Sequence, residues 1–394
     1  MSDAVERAGS VAERIASRAA KYDTEASFPA DDIADLREAG LLGLMVPPRL
    51  GGMGAGFEEY AEVAMALAAG SGATALLFNM HVSVTGALAS ISDGEIHAFG
   101  ARDSFVSRRD EILARAAQGA LYGVAISERG IGSRLSQLQT TYERDGDGYR
   151  IRGQKSTCSG AGFLDGYLIA ARARDGGEQP VVSYLFLPAS DGIRPVGSWD
   201  PIGMRATVSR GVELDVHVDE DAMLGGIEGL VLPLAASMPQ WLVASYAAVY
   251  VGLAASALQV GAAYIAQRGP GNRTGGPSQA AATRARLGRA DADVAAARLA
   301  VREAARRIDL DAGSDETNTW IYRSKLLAGD VASSVTSSLA EACGLSVLSR
   351  GSPFERIYRD ARCGAIMPPS SDTAAAYLGS ATAGENPNNE VQPW

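Results

Sequence analysis

"VAISERGIGSRLSQLQTTYERDGDGYRIRGQKSTCSGAG" occupies residues 124–162. It opens as a short apolar run, "LYGVAIS" from Leu121. A glycine-rich loop, "SERGIGSR", follows. Its glycines let backbone N–H groups come close to an anion or an electron-rich ring. Small hydroxyl residues, Ser127 and Ser133, flank it. The segment then alternates about Asp-Gly-Asp-Gly (145–148), a strong hairpin signal. "DGYLIAARAR", "VVSYLFLPA" and "RGVELDVHVD" continue as strands broken by Gly, Pro and Asp. A β domain is therefore expected over 121–228.

Helical periodicity lies on both sides. In "PADDIADLREAGLLGLMV", Ile33, Leu36, Leu41 and Leu44 fall on one side, behind a helix-starting Pro-Ala-Asp-Asp. "PPRLGG" (47–52) breaks the chain, and Ala-rich helices follow. After the β domain, "WLVASYAAVYVGLAASALQVGAAYIAQR" is apolar nearly all round and reads as buried. "SQAAATRARLGRADADVAAARLAVREAARRIDLD" is amphipathic, and a third long helix follows. The expected architecture is α+β: an N-terminal helical domain (1–120), a β domain (121–228) and a C-terminal antiparallel bundle of three or four long helices (229–394).

Composition narrows the function. The net charge of −10 disfavours phosphate backbones, so nucleic acid is not expected as a partner. No uninterrupted apolar run of ~18 residues points to a membrane span, and "MSDAVERAGSVAERIASRAA" has no apolar signal core. A cytoplasmic protein is expected. Three cysteines and three histidines lack metal-ligand spacing, so no metal is expected.

Residues 124–162 resemble the flavin-binding region of the acyl-CoA dehydrogenase superfamily. "WDPIGMRATVSRGVELDVHV" (199–218) resembles its second β-domain signature, "PPRLGG" its N-terminal Pro-x-x-Tyr-Gly-Gly, and "ERIYRDAR" its approach to the active site. The four stretches stand in the family's order over nearly the whole chain, and the resemblance implies an acyl-CoA dehydrogenase-like α+β fold: an N-terminal α-helical domain, a central β-barrel-like domain and a C-terminal four-helix bundle. The resemblance implies FAD, with FMN in its place if the enzyme is an oxygenase. It assigns Ser127 to the pyrimidine edge of the flavin. Ser133 goes to the pantetheine path or the pyrophosphate and Ser159 to flavin N5; Gly132 and Cys158 stand in the same cofactor-binding stretches, Cys158 as a small packing residue rather than a nucleophile. Thr157 replaces a Trp that packs on the isoalloxazine. Arg268, with Arg273 competing, and Gln279 match residues reaching the pyrophosphate of a neighbouring subunit. A homotetramer or homodimer is implied. So is a partner, either an electron-transfer flavoprotein or a flavin reductase. Glu128, Arg359 and Asp360 read as structural.

Thioester dehydrogenation needs a carboxylate at the substrate's α-carbon. In register with "YRDARCGAIMPP", the family's Glu falls on Pro368. The alternative position, on the first long bundle helix, falls on Trp241 or Leu242. Asp372 is the nearest replacement, or else a helix cap together with Ser371. His81 is the other candidate, or else a hydrogen-bonded core residue. Three functions follow: an acyl-thioester dehydrogenase (CoA or carrier protein) with a relocated base, a flavin-dependent monooxygenase needing no base, or a non-catalytic paralogue.

Overall fold

The computed structural model describes residues 2–98, 100, 103–175, 177, 180–267 and 277–389. Six helices come first: α1 (Asp3–Glu25), α2 (Ala30–Glu38), α3 (Phe57–Gly70), α4 (Gly72–Ala89), α5 (Asp93–Ala98) and α6 (Asp103–Ala117). Helix α2 ends at Glu38 and a 3-10 turn covers Leu41–Gly43, so the expected helix is split. Ile33, Leu36, Leu41 and Leu44 are nevertheless all buried. The apolar spacing survives the break because the turn keeps the same face inward.

Seven strands follow: β1 (Tyr122–Ala125), β2 (Thr141–Asp145), β3 (Gly148–Cys158), β4 (Gly166–Ala173), β5 (Val182–Pro188), β6 (Ile193–Val196) and β7 (Arg210–Asp219). They form one sheet in the order β1-β4-β2-β3-β7-β6, with β5 paired to β4. The Asp-Gly-Asp-Gly stretch turns β2 into β3, with Asp145 facing Gly148. Along β7, Val212, Leu214, Val216 and Val218 are buried while Glu213, Asp215, His217 and Asp219 face out. That period of two marks a sheet with one wet face.

The remaining helices are α7 (Val231–Ser237), α8 (Ala244–Gln267), α9 (Pro277–Asp311), α10 (Asp315–Cys343), α11 (Pro353–Ala361) and α12 (Ser371–Ala383). Helix α8 packs against α3, α4, α9, α10 and α11. This explains why its sequence is apolar all round: every face meets another helix. Among the described residues, two segments, Gly72–Ala89 and Pro239–Gln267, are long and apolar enough to cross a membrane, but most of each is buried inside the protein.

Candidate active site

A cavity of about 360 Å³ opens where the helical and β regions meet. Its size lies within the range of small-molecule sites, about 300–1,000 Å³. Helix α4 supplies one wall through Leu76, Met80, Ser83 and Ala87, with Ser90 at its C-cap. Steps of three and four put those residues on one face. Tyr246 and Tyr250 of α8 and Tyr184 of β5 supply another wall, and Trp241 and Leu242 sit beside them. The segment 199–209 and Cys363, Met367 and Pro368 complete the enclosure. Among the described residues, not one that lines it is Asp, Glu, His, Lys or Arg.

The β-region wall is the polar one. Ser127, Ser133, Thr157 and Ser159 all line the cavity. Ser159 Oγ lies 2.9 Å from Ser209 Oγ, which lies 2.7 Å from Thr207 Oγ1. Thr207 Oγ1 donates to the Met204 carbonyl at 2.8 Å. Among the described residues, the hydroxyls of Ser127, Ser133 and Thr157 have no hydrogen-bond partner. A neutral ring system with a polar edge fits such a wall, whose unpaired hydroxyls can meet that edge.

The loop carrying Ser127 and Ser133 is held from behind. Glu128 and Gly132 exchange backbone hydrogen bonds at 2.9 and 3.0 Å. Gly132 has φ +63, a left-handed turn that suits a residue without Cβ. Gly132 itself stays outside the cavity wall. The Glu128 carboxylate accepts from Gln139 N (2.6 Å), Thr140 N (3.0 Å) and Lys155 Nζ (2.7 Å). Both side chains of this ion pair are buried. Burial pulls Lys155 down to about 8, against the opposing pull of Glu128.

Cys158 turns away from the cavity. It is the last residue of β3, is 1% exposed and is absent from the cavity lining, so its thiol packs in the core. Burial pushes that thiol up to about 12. Its place among cofactor-binding residues is thereby corrected to packing.

Neither candidate base reaches the cavity. His81 is fully buried: Nε2 lies 2.7 Å from the Leu42 carbonyl, and Tyr122 N donates to Nδ1 at 3.0 Å. The ring is therefore the neutral Nε2–H tautomer. Burial lowers it to about 4. Asp372 is exposed in the first turn of α12. The cap is neither Ser371 nor Asp372 but Ser370, whose side chain accepts from Thr373 N at 3.2 Å.

Arg359 binds Asp23, Glu355 and the Ile202 carbonyl. Asp360 accepts from Met204 N at 2.6 Å, and burial raises its carboxyl to about 6. The two thus brace the back of the 199–209 segment. Arg268 and Arg273 lie outside the described residues, and Gln279 lies in the first turn of α9.

Sequence reasoning missed the tyrosines, Thr207 and Ser209. Tyr246 and Tyr250 sit in an apolar helix where they read as core; only their i, i+4 spacing offered a signal.

One further network fixes Trp241. Its carbonyl accepts from Ser83 Oγ (2.6 Å) and Ser245 Oγ (2.7 Å), joining α4 to α8. The indole lies against Gly86, where a Cβ would meet its ring at 2.3 Å.

Three models of the acyl-CoA dehydrogenase family match in order: the N-terminal domain over residues 4–96, the middle domain over 123–216 and the C-terminal domain over 242–376. The chain belongs to the acyl-CoA dehydrogenase family. It is a flavin-dependent oxidoreductase of that family.

Its relatives divide by chemistry. YdbM of Bacillus subtilis (strain 168), provisionally named an acyl-CoA dehydrogenase, is 27% identical over 95% of each chain. Dibenzothiophene monooxygenase of Rhodococcus erythropolis is 27% identical over 94% of this chain and 90% of its own. The solved dibenzothiophene monooxygenase TdsC of Paenibacillus sp. A11-2, in complex with FMN and indole, superimposes with a TM-score of 0.83. It is 23% identical and 97% of each chain is covered. That likeness establishes the fold.

Proposed function

We propose that this protein is a flavin-dependent monooxygenase built on the dehydrogenase scaffold. One observation carries the reading: among the described residues, the cavity wall holds no carboxylate and no imidazole. Thioester dehydrogenation must remove an α-proton, and none of the lining side chains is a base suited to it. Pro368, to which the sequence resemblance assigns the family's Glu position, lines this wall as a pyrrolidine ring. Oxygen transfer makes no such demand.

Bound reduced flavin would supply the activation of dioxygen. The overall reaction balances as reduced flavin, dioxygen and substrate giving oxidised flavin, one water and substrate bearing one oxygen atom. Ser127, Ser133, Thr157 and Ser159 would hold the polar edge of the ring. The Thr207–Ser209–Ser159 hydroxyl chain would fix Ser159 as donor or acceptor at a set position. Met80, Leu168, Met204, Trp241 and Leu242 would exclude water, which favours reaction over loss of activated oxygen. Braces behind the wall, Glu128–Lys155 and Asp360–Met204, would keep these groups in place.

The cofactor under this reading is FMN delivered reduced by a separate flavin reductase, acting in the cytoplasm. A homotetramer or homodimer would bring a neighbour's residues to the phosphate end. The dibenzothiophene monooxygenase relative supports the reading, as does the FMN held by TdsC. YdbM supports the acyl-thioester alternative. Anaerobic mixing of the flavin-loaded protein with butanoyl-CoA or octanoyl-CoA separates the two. The oxidised flavin spectrum should persist, with no exchange of α-protons in D2O. Bleaching by either thioester would refute the proposal.

A further inference from the structure

The cavity has a second set of unpaired hydroxyls, away from the β-region loop. Tyr246 and Tyr250 stand four residues apart on one face of α8, and Tyr184 reaches the same space from β5. The Tyr250 hydroxyl is buried and has no hydrogen-bond partner. Among the described residues, those of Tyr184 and Tyr246 have none either. The three lie close enough for Tyr246 to raise the other two electrostatically. Burial holds all three above the ordinary phenol value, so they stay neutral donors.

Buried hydroxyls without partners are costly, and a fold keeps them where something else completes the bond. Other polar groups of these walls are already spoken for: Ser83 by the Trp241 carbonyl, Trp199 Nε1 by the Met204 carbonyl, Ser90 by the Ala87 carbonyl. Around the phenols stand Met238, Trp241, Leu242, Met204 and Leu234. A charged ligand would lose its hydration there with no counter-charge in return. Flat apolar walls with neutral donors between them suit an uncharged ring system that carries oxygen.

We propose that Tyr184, Tyr246 and Tyr250 are the substrate-recognition residues of this site, donating hydrogen bonds to the carbonyl or hydroxyl oxygens of an uncharged polycyclic substrate. The inference deepens the oxygenase reading, since it assigns the space beside the flavin wall to such a molecule.

The test uses the flavin-loaded full chain with oxidised flavin, so no turnover is required. Binding of 1-tetralone, its deoxygenated counterpart tetralin and the anion 1-naphthoate is measured by calorimetry. Tetralone should bind about tenfold or more tighter than tetralin, the discrimination expected of a site with buried donors. Tyr250→Phe, Tyr246→Phe and Tyr184→Phe should each narrow that ratio, Tyr250→Phe by about tenfold, with tetralin affinity unchanged. Flavin content and the circular dichroism spectrum check that each variant is folded. Naphthoate should bind more weakly than tetralone. A tetralone-to-tetralin ratio that survives all three substitutions overturns the proposal. So does preferred binding of naphthoate, or failure of both neutral probes to bind. The outcomes separate from those of the oxygenase reading: phenol-dependent tetralone binding in a protein bleached by acyl-CoA would retire that reading and leave this one standing.

Discussion

Removing the Glu128 carboxylate should damage this protein far more than removing its partner. Glu128 is 4% exposed and Lys155 0%, and the carboxylate serves three donors: Lys155 Nζ, Gln139 N and Thr140 N. Glu128→Gln strands a buried ammonium, which costs about 3–5 kcal/mol. The new amide NH2 must also face either a backbone N–H or the ammonium. Lys155→Met leaves a carboxylate that still accepts two backbone N–H bonds, so its cost should be about 1–3 kcal/mol. Combining both removes the stranded charge, and the double variant should be more stable than Glu128→Gln alone. Against a total of about 5–15 kcal/mol, the single Glu128 change is large.

Urea unfolding of the flavin-free chain measures all three variants, and flavin affinity reports on the loop they anchor. The pH dependence adds a check of sign. Lys155 falls to about 8 in the fold, from an ordinary 10.5. Between these values the unfolded chain holds more protons, so stability rises with pH. Lys325, donating to the Gly364 carbonyl at 3.0 Å and also lowered to about 8, adds to the same slope. Lys155→Met should keep only the Lys325 part between pH 8 and 10. The reasoning is refuted if Glu128→Gln costs under about 1 kcal/mol, or if the costs of the two substitutions simply add.

Other consequences follow from the same geometry. Gly86→Leu should displace the Trp241 indole, because even a Cβ would sit 2.3 Å from it; flavin-loaded protein would show altered tryptophan fluorescence and lost probe binding. His81 lies at about 4, below its ordinary 6.5, so its contribution is whole above pH 6.5 and is lost as pH falls through 4; His81→Leu, though destabilised, should show a flatter acid limb. Asp360 has the opposite sign. Its carboxyl is raised from 3.8 to about 6, so the folded chain holds the extra proton and stability from this group grows as pH falls from 6 toward 3.8. Asp360→Asn keeps an acceptor for Met204 N and should abolish that slope; an unchanged slope would show that the carboxyl titrates normally.

Where the sequence was readable, local chemistry left one choice. The Asp-Gly-Asp-Gly turn forced β2 against β3, and the alternation of β7 named its own buried face. Ser127, Ser133 and Ser159 reached the cavity because a glycine-rich loop and a strand end leave small hydroxyls little else to do there. What was not readable depended on packing between distant segments. Helix α4 is apolar on every side, so nothing local marks Met80 and Ser83 as cavity residues rather than core. His81 looked catalytic only while Leu42 and Tyr122, far along the chain, were unseen. Cys158 shares its stretch with Thr157 and Ser159, and only the packed fold shows its thiol buried away from the cavity they line. Tyr250 resembled ordinary core until its hydroxyl proved to have no partner.

The central claim is oxygen activation at a site without a base. Flavin-loaded protein is reduced anaerobically and mixed with oxygenated buffer, and flavin absorbance is followed by stopped flow. The account predicts that the oxidised spectrum returns only after a distinct lag. Substrate should shorten that lag while one atom of 18O2 enters the product. Immediate single-phase reoxidation, unaltered by any ligand, together with anaerobic bleaching by an acyl-CoA, would contradict it.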